Sequence, residues 1–188
     1  RSLINVKAGE TFSRERVSES TKRIGDRLAN DGYSFANINA VPDLNKEKQT
    51  AAFTFFVDPG RRVYVRRINI SGNVKTRDEV VRREMRQMEG GYYSIDKINR
   101  SRERIQRLGF FSDVNIETPP VPGTTDQVDI NVGVTERSTG QLQVGAGYSS
   151  SDGVVVSGSI SQANVFGSGN QLTAQISNGR VNETYLLS

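Results

Sequence analysis

The stretch from Val63 to Arg137 constrains the fold most, because it marks the boundaries of five consecutive elements. β-Branched and aromatic residues over Val63–Ile70 predict a strand, which stops at the turn Ser71-Gly72-Asn73. The apolar positions change phase between Val65 and Ile68, so this strand needs either a bulge or burial on both faces.

The residues after this turn predict a helix. Thr76 to Glu79 has the spacing of a capping box, in which the threonine oxygen accepts the third helical N–H and the glutamate reaches back. Gly90-Gly91 can adopt the left-handed conformation that ends a helix. The apolar stripe of this helix consists of Val80, Val81, Met85 and Met88.

A second helix is predicted between its cap Ser94 and Gly109. One face of this helix carries Ile95, Ile98, Ile105 and Leu108. A strand follows at Val114–Thr118, and after the turn Pro119–Gly123 a last strand alternates apolar with polar residues. Its apolar residues are Val128, Ile130, Val132 and Val134. Two helices on a three-stranded sheet make an α+β domain of about 75 residues.

This order of elements, βααββ, resembles a POTRA domain, the periplasmic module that precedes outer-membrane barrels. The resemblance is carried by Gly-Phe-Phe-Ser-Asp-Val at Gly109–Val114, between the second helix and the second strand. The run from Arg82 to Gly90 resembles the last POTRA domain of the BamA family of outer-membrane assembly factors. The fold class implied is α+β POTRA modules (βααββ) followed by the first antiparallel strands of a transmembrane β-barrel.

Residues 1–60 look like an incomplete copy of the same unit. Phe12-Ser13 begins a helix as Tyr93-Ser94 does, and Asn30-Asp31-Gly32 ends it. Strands are predicted at Phe35–Val41 and Ala51–Val57, with Pro42–Lys48 as a polar connection. The buried face of the helix consists of Val17, Ile24 and Leu28. The predicted domains are therefore a truncated penultimate POTRA domain (1–60), a complete last POTRA domain (61–137) and the N-terminal strands of an outer-membrane β-barrel (138–188).

The barrel prediction rests on an abrupt change of composition after Arg137. Residues 138–188 hold three charged residues, Asp152, Arg180 and Glu183, but eight of the eighteen glycines. Apolar and polar residues alternate in three segments of about eight to ten residues, as tilted membrane strands do, and a fourth begins near the end. Periodicity alone fits a soluble hairpin sheet equally well. The uncharged polar face suits a barrel lumen, and Asn164–Asn170 is similar to the connection between the second and third strands of the family's barrels.

Composition argues against catalysis and against nucleic-acid binding. The chain has no histidine and no cysteine, so it lacks the side chains of a Ser-His-Asp or Cys-His arrangement and of a conventional zinc site. We expect no enzyme activity, no cofactor and no metal. The net charge is +4, but the arginines alternate with acidic residues along helix faces and no aromatic stacking platform is present, so no nucleic-acid partner is expected.

Glu89 is the first candidate binding residue. It stands at the predicted end of the first helix, where the helix dipole disfavours a carboxylate, so it is either retained for a partner or merely tolerated. The resemblance implies a contact between this helix and a partner lipoprotein of the BamD type, within a complex that holds other lipoproteins. It carries over Glu89, Arg82, Arg83 and Arg86 as the partner-binding residues. Asn69 stands where a basic residue would be expected for that contact.

The second candidate site is the main chain of the first predicted barrel strand. Its outward edge must meet the last strand of the barrel, and its glycines leave few side chains to lock that pairing. An unfolded outer-membrane protein could add a strand to this edge by β-augmentation. The residues of the edge are Thr139, Gly140, Gln141, Leu142, Gln143, Val144, Gly145, Ala146, Gly147 and Tyr148.

The resemblance therefore implies a central component of the outer-membrane β-barrel assembly machinery, with its POTRA modules in the periplasm of a Gram-negative cell. Such a protein folds and inserts outer-membrane proteins by strand pairing at POTRA edges and at the first barrel strand. Unfolded outer-membrane proteins and outer-membrane lipid are its expected partners. Two alternatives stay open: a related POTRA-barrel transporter (two-partner secretion or TamA-like), and a soluble periplasmic protein-binding scaffold.

Overall fold

The computed structural model describes residues 2–150, 153–179 and 183–188, except for the side chain of Ser149. The chain divides into two compact units. One consists of Arg1–Asn69, Arg86–Ser101 and Glu117–Asn131, and the other of Ile70–Met85, Arg102–Ile116 and Val132–Ser188. None of the helices in the described ranges is long and apolar enough to cross a membrane. Two of the three charged residues in the range 138–188, Asp152 and Arg180, lie outside the described residues.

The first sixty residues form one helix and a hairpin. Helix α1 spans Arg14–Asn30, and the Ser13 hydroxyl caps it by accepting the Arg16 N–H at 3.4 Å, as predicted. Strands β1 (Asn37–Asn45) and β2 (Thr50–Asp58) pair antiparallel. The prediction of a polar connection from residue 42 was wrong, because β1 continues through Pro42, which lies opposite Phe53. Prolines are tolerated in edge strands, and among the described strands β1 pairs only with β2.

The five elements predicted between Val63 and Arg137 are all present. They are β3 (Tyr64–Ser71), α2 (Asp78–Arg82), α3 (Ile95–Arg107), β4 (Phe111–Glu117) and β5 (Gln127–Glu136), and the strands form a sheet in the order β3-β5-β4. Strand β5 alternates as predicted, with Val128, Ile130 and Val132 fully buried. In β3, Arg66 and Arg67 are both exposed between the buried Val65 and Ile68. Burial on both faces is therefore excluded, and the alternation changes phase at these two arginines as a bulge requires.

Helix α2 is shorter than predicted, and the capping-box prediction was wrong. The helix spans five residues, its N-cap is Arg77, and no side chain caps it. The atoms of Thr76 are occupied elsewhere: its N–H donates to Glu136 Oε1 at 2.6 Å, and its hydroxyl oxygen accepts the Asn164 side-chain amide at 2.8 Å. Contacts with residues distant in sequence thus replace the local cap.

The chain between α2 and α3 is not helical, which changes what is buried there. Met88 was predicted in the apolar stripe but is 68% exposed, whereas Gln87 is 1% exposed. The Gln87 side chain accepts the Ser94 N–H at 3.1 Å and donates to Tyr92 O at 3.0 Å. Ser94 caps α3 as predicted, since its hydroxyl accepts the Lys97 N–H at 3.4 Å. A buried amide that satisfies the loop backbone takes the place of the expected methionine.

The last part of the chain forms an open antiparallel sheet in the order β6-β7-β8-β9. Its strands are β6 (Gly140–Ser149), β7 (Gly153–Gln162), β8 (Leu172–Asn178) and β9 (Glu183–Leu187). Leu142 lies opposite Ile160, which lies opposite Ala174, so one face of the sheet is apolar across its strands. Leu142, Val144 and Tyr148 on this face are 73%, 74% and 81% exposed. The predicted alternation is confirmed, and the apolar face is uncovered.

Candidate functional site

Glu89 lies in the loop between α2 and α3, not at a helix end, so the predicted dipole argument for it was wrong. Its Oε1 accepts the Ile68 N–H of β3 at 2.8 Å, and Glu89 is an exposed residue. The carboxylate therefore satisfies a main-chain donor on the outer edge of β3. This structural contact accounts for an acidic residue at this position independently of any partner.

The loop after Glu89 continues along the same edge of β3. The Gly90 N–H donates to Val65 O at 2.7 Å, the Val65 N–H donates to Gly91 O at 3.0 Å, and the Tyr93 N–H donates to Val63 O at 2.9 Å. The chain thus covers the outer edge of β3 with its own backbone. The other edge strand of this sheet is β4, which pairs with β5 alone among the described strands.

The three arginines predicted to bind a partner lie in α2 and the loop that follows it, and all three are exposed. Arg83 Nε lies 3.7 Å from Glu84 Oε1, and the other oxygen of Glu84 accepts Arg104 Nη2 at 2.6 Å. The Arg86 N–H donates to the Ser101 hydroxyl at 2.8 Å, which holds this loop against α3. The structure therefore places Arg82, Arg83, Arg86, Met88 and Glu89 in one short surface segment, which we call the 82–89 segment.

A second polar cluster of the first unit involves tyrosines that sequence reasoning did not single out. The Arg62 guanidinium lies 5.5 Å from the Tyr33 ring and 5.1 Å from the Tyr92 ring. Tyr92 stacks on Tyr64 at 4.7 Å, and the two hydroxyls are 3.2 Å apart. The hydrogen bond with Tyr64, followed by that with Arg62, lowers the pKa of Tyr92. Cation–π and stacking contacts of this kind fasten the start of β3 to the end of α1.

On the exposed face of the β3-β5-β4 sheet, charged and amide side chains pair across strands. Arg66 holds Asp129 through two hydrogen bonds of 2.9 and 2.5 Å, and this guanidinium keeps the pKa of Asp129 below its ordinary value. The Asn69 amide donates to Asn131 at 2.9 Å. Asn69, which stands where a basic residue was expected, thus has a neutral partner across the sheet.

Strand β6, which holds the second candidate site, is an edge strand of the open sheet and pairs with β7. The Ala163 N–H donates to Thr139 O at 3.3 Å, and Gly140 lies opposite Gln162. Because hydrogen-bonded pairs alternate along an antiparallel ladder, the odd-numbered residues of β6 bond to β7. The even-numbered residues turn their N–H and C=O groups toward the open edge. These residues are Gly140, Leu142, Val144, Ala146 and Tyr148.

The loop between β7 and β8 contacts the loop before α2, and sequence reasoning missed this contact. Gly167 has a φ of +70°, and its carbonyl accepts the Arg77 N–H at 3.0 Å. A Cβ at Gly167 would lie 1.9 Å from Lys75 O, so only glycine fits. The signal available in the sequence was the glycine-rich run itself, but its partner is about ninety residues away.

Glu136, at the end of β5, also binds the loop before α2. Its carboxylate accepts the main-chain N–H groups of Lys75, at 3.1 and 3.0 Å, and of Thr76, at 2.6 Å. Burial raises the pKa of the Glu136 carboxyl, but hydrogen bonds from Thr76 and Lys75 together outweigh burial and leave the pKa below its ordinary value. We call Lys75, Thr76, Glu136, Asn164 and Gly167 the junction cluster.

No group of three or more acidic side chains with the geometry of a metal site occurs in the described ranges. The candidate sites consist of main-chain groups at strand edges and of exposed side chains.

Comparison with known proteins identifies the family. A family model named POTRA, with the description surface antigen variable number repeat, matches residues 1–60 and 63–137. The chain belongs to the POTRA family. The α+β POTRA fold expected from the sequence is confirmed, and β6–β9 lie beyond the matched residues as an open sheet.

Several relatives that this POTRA chain matches are named outer-membrane assembly factors. It is 41% identical over 178 residues to the outer membrane protein assembly factor BamA of Neisseria meningitidis, which covers 95% of this chain and 22% of that protein. Among solved structures, BamA from Haemophilus ducreyi lacking POTRA domains 1–3 matches 94% of this chain and 33% of its own at 38% identity, with a TM-score of 0.82. POTRA domains 3–5 of Haemophilus influenzae BamA match 72% of this chain and 54% of their own at 34% identity, with a TM-score of 0.67. The expected resemblance to BamA is confirmed, and the chain spans between 22% and 28% of the length of the first curated relatives it matches.

Proposed function

We propose that this chain is part of an outer-membrane protein assembly factor that folds and inserts β-barrel proteins, with its POTRA modules in the periplasm. Homology to BamA assembly factors supports this role. The observation that carries the proposal is the open main-chain edge of β6, where five residues direct their N–H and C=O groups away from β7. A client strand that adds to this edge gains backbone hydrogen bonds that depend little on its sequence.

The proposal assigns β6–β9 to the start of a transmembrane barrel. The uncovered apolar face supports this assignment, because large apolar side chains on it are exposed, including Ile160 at 61% and Ile176 at 54%. The opposite face carries neutral polar residues, among them Gln143, Ser159 and Gln175 in one row. Lipid on one side and water on the other suit this division. A soluble scaffold would have to leave the same apolar face in water.

The edge proposal is tested by replacing Val144 with proline in the full-length protein. Val144 turns its N–H outward, so Val144→Pro removes a donor from the free edge without removing a hydrogen bond to β7. The control Val144→Ala keeps the N–H and shortens the side chain. Each variant is reconstituted in lipid vesicles, and insertion of an unfolded outer-membrane protein is followed by the appearance of its protease-resistant, heat-modifiable form.

We expect Val144→Pro to slow insertion about tenfold or more, because the loss of one to two backbone hydrogen bonds costs about 1–2 kcal/mol. Val144→Ala should stay within about twofold of the parent, since it removes no main-chain group. A Val144→Pro protein that is itself folded and inserts clients at the parent rate would disprove pairing at this edge. The edge of β4 in the last POTRA domain is proposed to bind clients in the same way before they reach β6.

The 82–89 segment is proposed to bind a partner lipoprotein of the BamD type, beside the other lipoproteins of the complex. Three exposed arginines next to an exposed methionine suit a partner surface with acidic and apolar groups. Glu89 needs a careful test, because it also accepts the Ile68 N–H. Glu89→Gln keeps an acceptor oxygen and removes the charge, whereas Glu89→Lys removes both.

Copurification of lipoproteins with the full-length protein distinguishes these roles. If the charge of Glu89 binds the partner, both variants lose the lipoprotein. If Glu89 acts by holding β3, Glu89→Gln retains the lipoprotein and Glu89→Lys loses it. Arg86→Glu and Met88→Ser leave the Ile68 contact intact, and full recovery of the lipoprotein with both would contradict binding at this segment. The related transporter function gains support if no lipoprotein copurifies with the parent protein.

A further inference from the structure

The two most exposed large apolar side chains of the described residues lie on loops that touch each other. Phe166, in the loop between β7 and β8, is 91% exposed, and Val74, in the loop before α2, is 90% exposed. Each directly precedes a residue of the junction cluster, and a Cβ at Gly167 would lie 1.9 Å from Lys75 O. With standard backbone dimensions, the Cα atoms of Val74 and Phe166 therefore lie within about 14 Å of each other. We call these two residues the loop-tip pair.

The β7–β8 loop holds the Phe166 ring in solvent through a fixed conformation. Phe166 has a φ of +50° and a ψ of 28°, in the left-handed region that is unfavourable for a residue with a Cβ. Asn164 Oδ1 accepts the Gly169 N–H at 2.8 Å, and the Ser168 hydroxyl donates to Val165 O at 2.7 Å. A residue in such a conformation persists only where its surroundings hold it. The exposed ring is therefore a built feature of a hydrogen-bonded loop.

The charges around the loop-tip pair favour neither an acidic nor a basic partner. Residues 163–171 of the β7–β8 loop contain no charged residue. The loop before α2 and the first residues of that helix carry two charges of each sign, on Lys75, Arg77, Asp78 and Glu79. Burial of apolar surface is therefore the main force available for binding at the pair, and its partner must offer an apolar environment.

The position of the loop on the last sheet favours lipid as this environment. Gly140 of β6 lies opposite Gln162 of β7, so the β7–β8 loop follows at this end of the apolar face, whereas Tyr148 lies at the other end. The eight residue steps from Gly140 to Tyr148 span about 27 Å along the strand, or about 21 Å in depth at a tilt of about 40°. Apolar bands of transmembrane barrels are about 25 Å tall and carry aromatic residues at both edges. Phe166 and Tyr148 thus stand near the two edges of such a band.

We propose that the loop-tip pair inserts into the headgroup region of the phospholipid leaflet on the periplasmic side and fastens the loop before α2 to the bilayer. The inference rests on the proposed assignment of β6–β9 to a transmembrane barrel. It adds an attachment outside the strands, because Val74 lies within residues 63–137, which match the POTRA model. Insertion removes from water the two apolar side chains that the fold leaves uncovered.

The test uses the full-length protein, reconstituted alone in phosphatidylcholine vesicles, with one environment-sensitive fluorophore on a single cysteine. Val74→Cys and Phe166→Cys carry the label at the loop-tip pair, and Ile160→Cys carries it on the apolar face of the last sheet. Leu44→Cys is the control for insertion by the dye itself, because Leu44 is 66% exposed on β1 and has no proposed lipid contact. Fluorescence quenching is measured with iodide in water and with a lipid that carries a nitroxide near its headgroup.

We expect the lipid nitroxide to quench the labels at Val74 and Phe166 severalfold more than the label at Leu44, and iodide to quench them less. Phe166→Asn in the Val74→Cys protein should lower the insertion equilibrium by roughly tenfold or more, because it removes a phenyl ring from lipid. Asparagine tolerates a left-handed φ, so this variant keeps the loop conformation. Lipid quenching at Val74 should therefore fall to the Leu44 level in Phe166→Asn and persist in Phe166→Leu. Since the charges balance, salt and added phosphatidylglycerol should leave quenching unchanged.

The label at Ile160 separates failure of the anchor from failure of the barrel assignment. Lipid quenching at Ile160, with quenching at Val74 and Phe166 no higher than at Leu44, overturns the anchor and leaves the barrel assignment in place. Absence of lipid quenching at Ile160 overturns the barrel assignment and the anchor with it. Quenching at Val74 that is unchanged by Phe166→Asn, or that requires phosphatidylglycerol, overturns insertion of the two apolar side chains as a pair.

Discussion

Replacing Gly167 with alanine should release the β7–β8 loop from the loop before α2. Gly167 has a φ of +70°, and a Cβ there would lie 1.9 Å from Lys75 O and 2.9 Å from Lys75 C. These are backbone atoms, which cannot rotate away as a side chain would. The two loops must separate to admit the methyl group.

The free-energy cost of Gly167→Ala follows from the backbone strain it adds and the hydrogen bonds it breaks. Left-handed conformation costs an alanine about 1–2 kcal/mol. Separation of the loops breaks the bond from the Arg77 N–H to Gly167 O and the bond from Asn164 to Thr76, each worth about 0.5–1.5 kcal/mol. The sum of about 2–5 kcal/mol corresponds to an opening equilibrium raised by a factor of roughly 30 to several thousand.

Hydrogen-exchange mass spectrometry on the full-length protein measures this opening in peptides that cover residues 74–79. Gly123→Ala is the matched control, because Gly123 has a φ of +81° but open space around its Cβ position. We expect faster exchange of residues 74–79 in Gly167→Ala and no change there in Gly123→Ala. Equal exchange of this segment in both variants would refute the junction as a close-packed contact.

Two further predictions concern the same domain. The pKa of Glu136 is below its ordinary value in the folded protein. The stabilisation that its carboxylate gives to the folded state is therefore fully present above about pH 4.3 and is lost as pH falls through the folded pKa. Protection of the Lys75 and Thr76 amides from hydrogen exchange should therefore fall at acid pH in the parent. Glu136→Gln does not titrate, so amide protection in this variant should show no such pH-dependent fall. Protection that is as independent of pH in the parent as in the variant would contradict this prediction. Gln87→Ala should destabilise the domain by about 2–5 kcal/mol in urea unfolding, because it leaves the Ser94 N–H and Tyr92 O unsatisfied. Met88→Ala, at an exposed neighbour, should change stability by less than about 0.5 kcal/mol, and equal effects of the two substitutions would contradict the buried role of Gln87.

The structural elements that depend on residues close in sequence were predicted well. Strand β5 has one apolar residue at every second position, and all four of these residues are buried. Ser13 and Ser94 cap their helices as expected because each cap depends on residues two or three positions away. The alternation of apolar and polar residues also predicted the strands of the last sheet, because this alternation does not depend on whether lipid or water covers each face.

The elements that distant contacts decide were not predicted. Thr76 has the local pattern of a helix cap, but Glu136 and Asn164, 60 and 88 residues away, hold it instead. Met88 has helical spacing from Met85, yet the helix has ended, and Gln87 is buried in its place. The outward residues of β6 follow from its pairing phase with β7, which sequence alternation alone does not define.

The central claim is that client strands pair with β6, and a disulfide tests it most directly. Odd-numbered residues of β6 would form the non-hydrogen-bonded pairs with an added strand, where Cα atoms lie about 4.5 Å apart, within disulfide range. Gln143→Cys therefore places a thiol at the edge, in a segment that has no other cysteine. Gln175→Cys on β8 lies in the same row of the same face but between two strands.

In the full-length protein during client insertion, we predict disulfides between Gln143→Cys and single cysteines at alternate positions of one client strand, in one register. Gln175→Cys should form none with that strand. Crosslinks of equal yield at both positions, or none at Gln143→Cys while insertion proceeds, would contradict pairing at the β6 edge.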